Sequence, residues 1–60
     1  MNIEQWLNSL GMEQYIPIFL ENEVSMEDLS DLDSSDLKDE LGITKLKHRK
    51  TILHAIQSIE

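Results

Sequence analysis

The last twenty residues, 41–60 (LGITKLKHRKTILHAIQSIE), constrain the fold most strongly, because they carry the longest helical apolar pattern in the chain. At about 100° per residue, five apolar side chains fall on one arc of a helix, as expected for a helix packed on a core. These residues are Leu46, Ile52, Leu53, Ile56 and Ile59. Lys47, Lys50 and His54 share the opposite face. Lys45 and Arg49 also fall on the apolar arc, so either their stems lie along neighbouring helices or the first turn projects beyond the bundle.

Most of the positive charge lies at the start of this segment. Four of the five basic residues occupy six positions: Lys45, Lys47, Arg49 and Lys50. Gly42 is predicted to end the preceding segment and Thr44 to cap the new helix, which places the cations in its first turns. A helix N-terminus disfavours each nearby cation by a few tenths of a kcal/mol. We interpret this cluster as a docking surface for an acidic partner, with a solvated face as the alternative.

Four shorter helices are predicted ahead of the last one, each from a start or stop signal. The signals are an Asn2–Gln5 capping box, Gly11 as a stop, Pro17 near the start of the second helix, a Ser25–Asp28 capping pattern, and Asp33 or Ser34 as a cap. No alternating β-branched run predicts a strand. The expected fold class is therefore all-α, a compact bundle of five helices with a long C-terminal helix. We expect residues 1–60 to form one domain.

The predicted second helix has apolar residues on two sides. Tyr15, Ile18 and Phe19 form one stripe, and Ile16 and Leu20 form a second apolar pair elsewhere on the helix. Such a helix is either central in the bundle or carries an exposed apolar patch. Pro17 predicts either that the helix begins late, near residues 14–16, or that it is distorted there, because proline is tolerated in a first turn and costs about 3 kcal/mol in a helix interior.

Composition limits the classes of function. The chain contains no cysteine, which removes disulfide frameworks and thiolate metal sites and is compatible with a cytoplasmic location. Residues 1–10 lack the basic start and apolar run of a secretion signal, and no segment approaches the roughly 18 apolar residues of a membrane span. We expect a cytoplasmic chain without a membrane segment and without a cofactor.

The charges of the chain are segregated along its length. The net charge is −7, residues 21–40 contain nine acids and one lysine, and residues 41–59 contain four cations and no acid. Asp36 and Glu40 are four apart and repel each other mildly, which suggests an absent cationic partner, although a solvated face also explains them. Separated charge steers association with complementary surfaces. The negative total argues against a nucleic acid or an anionic membrane as the partner.

Catalytic chemistry finds little support in the sequence. His48 and His54 are six residues apart and do not form the i, i+4 pair of a helical metal site. Ser25, Ser34 and Ser35 lie where capping explains them. The acids lack the spacing of a calcium loop, and no glycine-rich phosphate loop is present. We therefore expect no catalytic, cofactor-binding or metal site, and a chain that is not an enzyme.

The residues closely resemble those of the sterile alpha motif (SAM) family along the whole chain. The matching positions are Trp6-Leu7, Leu10-Gly11, Gln14-Tyr15, Phe19, Glu21-Asn22, Leu29, Leu32, Asp36-Leu37, Leu41-Gly42-Ile43, His48-Arg49-Lys50, Ile52-Leu53 and Ile56. The resemblance implies five helices, the last one long. One departure is Lys47, where many members have glycine, so a contact that needs close backbone approach is not expected at this turn.

The resemblance also implies protein–protein interaction, in many members by head-to-tail contact of two surfaces. Carried over, the basic end-helix surface is Lys45, Lys47, His48, Arg49 and Lys50. The acidic mid-loop surface is Glu27, Asp28, Asp31, Asp33, Asp36, Asp39 and Glu40. The implied partner is a second copy of the chain or another SAM domain, giving an oligomer or polymer. The alternative, which some members follow, is RNA-hairpin binding through the basic start of the last helix.

Overall fold

A computed structural model describes residues 1–59 and contains five helical segments, which we number α1 to α5. They are α1 (Ile3–Ser9), α2 (Ile16–Glu21), α3 (Met26–Asp31), α4 (Asp36–Glu40) and α5 (Leu46–Gln57). A 3₁₀ turn, Glu13–Tyr15, leads into α2; α3 is itself a 3₁₀ helix, and α4 is a single π-type turn. Across the described residues there is no strand. The predicted all-α bundle of five helices with a long last helix is confirmed.

Reciprocal capping bonds start α1 and α4 where the sequence predicts them. The Asn2 side chain accepts the Gln5 backbone N–H at 2.8 Å, and Gln5 Oε1 accepts the Asn2 N–H at 3.2 Å. Ahead of α4, Asp33 Oδ1 accepts the Asp36 N–H at 2.9 Å, and Asp36 Oδ2 accepts the Asp33 N–H at 3.3 Å. Each pair satisfies amides that a helix start leaves without a partner. Of the two residues suggested for the fourth helix, Asp33 is the cap and Ser34 is not.

The starts of α2 and α5 differ in how closely they follow the prediction. Helix α2 begins at Ile16 with Pro17 next, where the missing proline N–H is not needed. The predicted late start is confirmed. Helix α5 begins at Leu46 with the extended residue Lys45 at the N-cap position, and no side chain bonds to its first amides. The prediction that Thr44 caps this helix is wrong, because Thr44 lies one residue outside the capping position.

Three helix ends close with a residue in the left-handed backbone conformation. Gly11 after α1 has φ 73°, Gly42 after α4 has φ 68°, and Glu23 after α2 has φ 56°. At α2 the closure is completed by the Val24 N–H, which donates to the Phe19 carbonyl at 2.9 Å. A side chain makes this conformation unfavourable by about 1 to 2 kcal/mol, and glycine avoids that strain. Glu23 therefore occupies a position where the two other helix ends have glycine.

We expect Glu23→Gly to raise the free energy of unfolding by about 0.5 to 1 kcal/mol, because relief of left-handed strain exceeds the added chain entropy of glycine. It also removes a negative charge from the C-terminal end of α2, where the helix dipole disfavours anions. Thermal melts followed by circular dichroism measure the effect. Gly42→Ala is the matched control and is expected to lower the melting temperature. A melting temperature unchanged or lowered by Glu23→Gly would contradict the proposed strain.

Ten apolar side chains are buried and form one core. They are Ile3, Trp6, Leu7, Met12, Phe19, Leu29, Leu37, Leu41, Ile43 and Ile52. Helix α5 lies on this core through Ile52, with Leu53 and Ile56 half-buried beside it. The predicted apolar arc is thus correct for the middle of α5 and wrong at its two limits: Leu46, the first residue of α5, is 56% exposed, and Ile59, which lies two residues beyond the end of α5, is 44% exposed. The arc extends beyond the core at both ends, so its terminal residues meet solvent.

The two-sided apolar pattern of α2 produces an exposed patch. Phe19 is fully buried, Tyr15, Ile16 and Ile18 are half-buried, and Leu20 is 48% exposed. The sequence leaves open whether α2 is central in the bundle or carries an exposed apolar patch. The structure shows the second, because the bundle does not cover Leu20. None of the helices in residues 1–59 combines the length and the apolar character that crossing a membrane requires.

Candidate protein-interaction surfaces

The basic end-helix surface is formed by the uncapped start of α5. Lys45, Lys47 and Lys50 are exposed, whereas His48 and Arg49 are half-buried. The first turn of α5 contains no acid and makes no capping bond through a side chain. Three of the five predicted residues therefore present their charge to solvent at a helix end that lacks a counter-anion, and the other two are held by the fold.

Arg49 connects α5 to the loop before it. Its Nη1 donates to the Ile43 carbonyl at 2.8 Å, and its buried Nε has no hydrogen-bond partner among the described residues. The stem of Arg49 therefore lies along the bundle, which is one of the two possibilities that the sequence leaves open. Lys45 and Leu46 are exposed, as the other possibility, a projecting first turn, expects. Removing Arg49 would therefore disturb the start of α5 as well as its charge.

His48 connects α5 to the turn that precedes α2. The Tyr15 hydroxyl and His48 Nδ1 are 2.5 Å apart, and the two rings meet edge to face with centroids separated by 5.5 Å. This bond joins residues that lie 33 apart in the sequence and helps to fix the first turn of α5 on the bundle. His54 is exposed on the far side of the same helix. His54 is thus a surface residue, whereas His48 has a structural partner.

Leu46 belongs to the basic end-helix surface although the sequence places it on the core arc. It lies between Lys45 and Lys47, and 56% of it is exposed. A large apolar side chain surrounded by cations is suited to binding a partner that offers carboxylates around an apolar depression. The signal that identifies it is its position in the first turn of the last helix, because projection of this turn beyond the bundle is one of the two possibilities that the sequence leaves open.

Four of the seven predicted acids line one groove, which we call the acidic groove. It has a volume of about 370 Å³ and is lined by Asn22, Val24, Asp28, Asp31, Leu32, Asp36, Glu40 and Leu41. The four carboxylates belong to Asp28 and Asp31 on α3 and to Asp36 and Glu40 on α4. Val24 and Leu32 are half-buried and add apolar surface to the lining, to which the buried Leu41 contributes little. The groove therefore combines negative charge with an apolar floor.

The remaining three predicted acids lie outside the acidic groove. Glu27 lines a different groove beside α2. Asp33 caps α4, and Asp39 accepts a hydrogen bond from the Ser35 hydroxyl at 3.2 Å. Of the seven residues of the acidic mid-loop surface, Asp28, Asp31, Asp36 and Glu40 are thus the four that share the acidic groove.

Asp28 both lines the acidic groove and starts α3. Its Oδ2 accepts the Ser25 backbone N–H and the Ser25 hydroxyl, each at 3.0 Å. The backbone hydrogen bond, and secondarily the hydroxyl, lower the pKa of Asp28 below its ordinary value of 3.8, because both donors stabilise the carboxylate. The predicted Ser25–Asp28 capping pattern is confirmed. Asp28 is consequently ionised in the groove across the neutral pH range.

We expect the stability of the domain to depend on Asp28 and on pH. Because the pKa is lower in the folded state, the contribution is fully present above 3.8, the ordinary value, and disappears as the pH falls through the folded pKa. Asp28→Asn should therefore be less stable than wild type at neutral pH, with the difference shrinking in acid. Urea unfolding of wild type and Asp28→Asn, at neutral pH and again in acid below the folded pKa of Asp28, measures the difference in stability. Asp31→Asn removes the same charge from the same helix without removing a cap, and an equal loss in that variant would refute the capping role.

The two surfaces are not linked to each other by hydrogen bonds. Among the described residues, the side-chain partners of the basic end-helix surface are the Tyr15 hydroxyl and the Ile43 carbonyl. The carboxylates of Asp28 and Asp36 bond to nearby backbone or hydroxyl groups. The bonds formed by either surface therefore leave its charge available to another molecule. Residues 1–59 hold no group of three or more His, Asp or Glu side chains suited to a metal ion.

A small helical bundle with separate basic and acidic surfaces, each with an apolar centre, defines a class of protein-interaction module. The comparison with protein families agrees: the family model described as SAM domain (Sterile alpha motif) matches residues 1–60. The chain belongs to the sterile alpha motif family, as the sequence resemblance indicates. A SAM domain is a protein-interaction module.

Curated relatives show the same kinship over nearly the whole chain. The chain is 39% identical over 54 residues to diacylglycerol kinase eta of Drosophila melanogaster, covering 90% of this chain and 3% of that protein. It is 40% identical over 58 residues to diacylglycerol kinase eta of Mus musculus, covering 97% of this chain and 5% of that protein. The chain thus spans only 3 to 5% of the length of these relatives. The kinase activity in their name is a property of those longer proteins.

Proposed function

We propose that this domain binds a second copy of itself or another SAM domain, with the basic end-helix surface of one molecule on the acidic groove of the next. The observation that carries the proposal is the match between the two sites. One presents Leu46 among exposed lysines, and the other presents apolar floor residues among four carboxylates. Both charge and apolar character are complementary.

The apolar centre supplies the affinity that surface charge lacks. Exposed ion pairs contribute about 0 to 1 kcal/mol each and act mainly on association rate and specificity. Burying the exposed half of the Leu46 side chain adds about 1 kcal/mol at roughly 25 cal/mol per Å² of apolar surface. The lysines around Leu46 then orient it over Val24 and Leu32 in the acidic groove of the next molecule.

The proposed contact joins two different surfaces and leaves one of each free at the ends of a pair. Such a heterologous contact repeats from molecule to molecule, so it forms an open polymer or a closed ring. A partner SAM domain that offers only one of the two surfaces would end the chain of contacts. Self-association is thus expected to continue beyond a dimer as the concentration rises.

RNA-hairpin binding uses the same cations and stays the alternative prediction. The net charge of −7 and the carboxylates of the acidic groove repel phosphate, so the structure supports a protein partner better. A cytoplasmic location likewise stays a prediction, which rests on the absence of cysteine.

Leu46→Glu tests the proposal at its apolar centre. The change places a carboxylate against the acidic groove and removes the buried leucine surface, which should weaken self-association about thirtyfold. An acid in the first turn of α5 interacts well with the helix dipole, so the melting temperature should stay equal or rise. Sedimentation velocity over a concentration series measures the association. Leu46→Gln, which is uncharged, should weaken self-association less. If Leu46→Glu self-associates as strongly as wild type, the proposal is wrong.

A further inference from the structure

A second groove lies between α2 and α3 and differs from the acidic groove in composition. Its apolar lining comes from Ile3, Leu20, Val24 and Met26, and its two carboxylates are those of Glu23 and Glu27. We call it the α2–α3 groove. Val24 is the one residue that lines both grooves. With four apolar residues and two carboxylates, the α2–α3 groove offers more apolar surface and less charge than the acidic groove.

Two features of the α2–α3 groove are not needed for the stability of the isolated fold. Leu20 leaves 48% of its surface exposed to solvent, although it belongs to a helix whose neighbouring Phe19 is fully buried. Glu23 holds a left-handed backbone at the position where the ends of α1 and α4 have glycine. Its charge also lies at the C-terminal end of α2, which favours cations. An apolar residue and a strained acid placed together are typical of a binding surface.

We propose that the α2–α3 groove binds an amphipathic segment of another protein, one that presents two apolar side chains on one face with a lysine or arginine beside them. The apolar side chains would cover Leu20 and Met26, and the cation would pair with Glu23 or Glu27. Charge complementarity selects this chemistry, because both ionisable groups of the groove are carboxylates. The proposal is distinct from the head-to-tail contact, because Val24 is the single lining residue that the α2–α3 groove shares with the acidic groove.

A second copy of the chain fits the α2–α3 groove less well than such a segment. The basic end-helix surface presents three exposed lysines around a single leucine. That arrangement matches the four carboxylates of the acidic groove, whereas here two carboxylates border four apolar residues. A more apolar and less charged ligand is therefore the better occupant.

The test is a titration of isotope-labelled domain with a short synthetic helical peptide that has leucines at i and i+4 and one lysine at each side of them. Lys45→Glu with Lys47→Glu in the labelled domain removes charge from the basic surface and keeps it from competing. We expect amide shift changes at Ile3, Leu20, Val24 and Met26, with smaller changes at Asp31 and Glu40. Binding should weaken about threefold in Glu23→Gly and about threefold to tenfold in Leu20→Ser.

Glu23→Gly separates a binding role from a structural one, because that variant is expected to be more stable and yet bind less tightly. A peptide with serines in place of the leucines should fail to bind, which shows that the apolar lining contributes. The proposal is overturned by an absence of binding, by equal binding of the serine peptide, or by shift changes centred on the acidic groove. It is also overturned if unlabelled wild-type domain shifts the same amides as the peptide, since a second copy would then be the occupant.

Discussion

Phe19→Ala is expected to remove most of the free energy of unfolding and to lower the melting temperature steeply. Phe19 is the largest fully buried side chain, and it belongs to the short helix α2. Truncation of a buried phenylalanine to alanine costs about 3 to 5 kcal/mol. A domain of 60 residues has a total stability of about 3 to 9 kcal/mol, so most of it is lost. Far-ultraviolet circular dichroism during heating and urea titration measures the loss.

The neighbouring residue provides the control for this prediction. Leu20→Ala also removes a large apolar side chain from α2, but Leu20 is 48% exposed. The expected cost is about 1 kcal/mol or less, because little of that side chain leaves the core on truncation. Equal melting temperatures for the two variants would mean that the observed packing of α2 is wrong.

The sequence predicts the helices well because their signals are local. Asn2 with Gln5, and Ser25 with Asp28, satisfy amides within four residues of one another, so spacing alone identifies them. Gly11 ends α1 for an equally local reason, since glycine adopts the left-handed conformation without strain. Such contacts need no knowledge of how the helices pack.

The sequence fails where a residue's role depends on where the core ends. Leu46 has the correct angle for the apolar arc of α5, yet it lies beyond the buried residues and meets solvent. Periodicity gives direction around a helix axis and does not tell how far along it the core extends. Thr44 fails as a cap for a related reason, because α5 starts two residues later, at Leu46. These misses both concern the first turn of α5, where the proposed contact lies.

Tertiary bonds also decide which predicted site residues are free. In the sequence Arg49 counts as a surface cation and His48 as a residue of the basic end-helix surface, but Arg49 bonds to the Ile43 carbonyl and His48 to Tyr15. Asp36 is half-buried and bonds to the Asp33 amide. The sequence predicts the cap at Asp33, but no pattern in it reveals the partners of Arg49 and His48, and these bonds determine which positions can be changed without damage to the fold.

Reversing exposed charges on each surface should abolish self-association and then restore pairing in a mixture. One variant carries Lys45→Glu with Lys47→Glu, and the other carries Asp31→Lys with Glu40→Lys; all four residues are exposed. Arg49 and Asp36 are left unchanged because the fold uses them. Like charges facing each other across a contact cost several kcal/mol, so each variant alone should self-associate at least about a hundredfold more weakly than wild type.

Each variant keeps one intact surface, so the mixture should form a heterodimer at a ratio of one to one and stop there. The two reversed surfaces lie at the outer ends of that pair and prevent further addition. Sedimentation velocity and isothermal titration calorimetry measure its size and stoichiometry. Its affinity should fall as salt is added, because screening weakens the steering charges, while the Leu46 contact persists. If wild type self-associates but the mixed variants stay apart, the proposed pairing of the basic end-helix surface with the acidic groove is wrong.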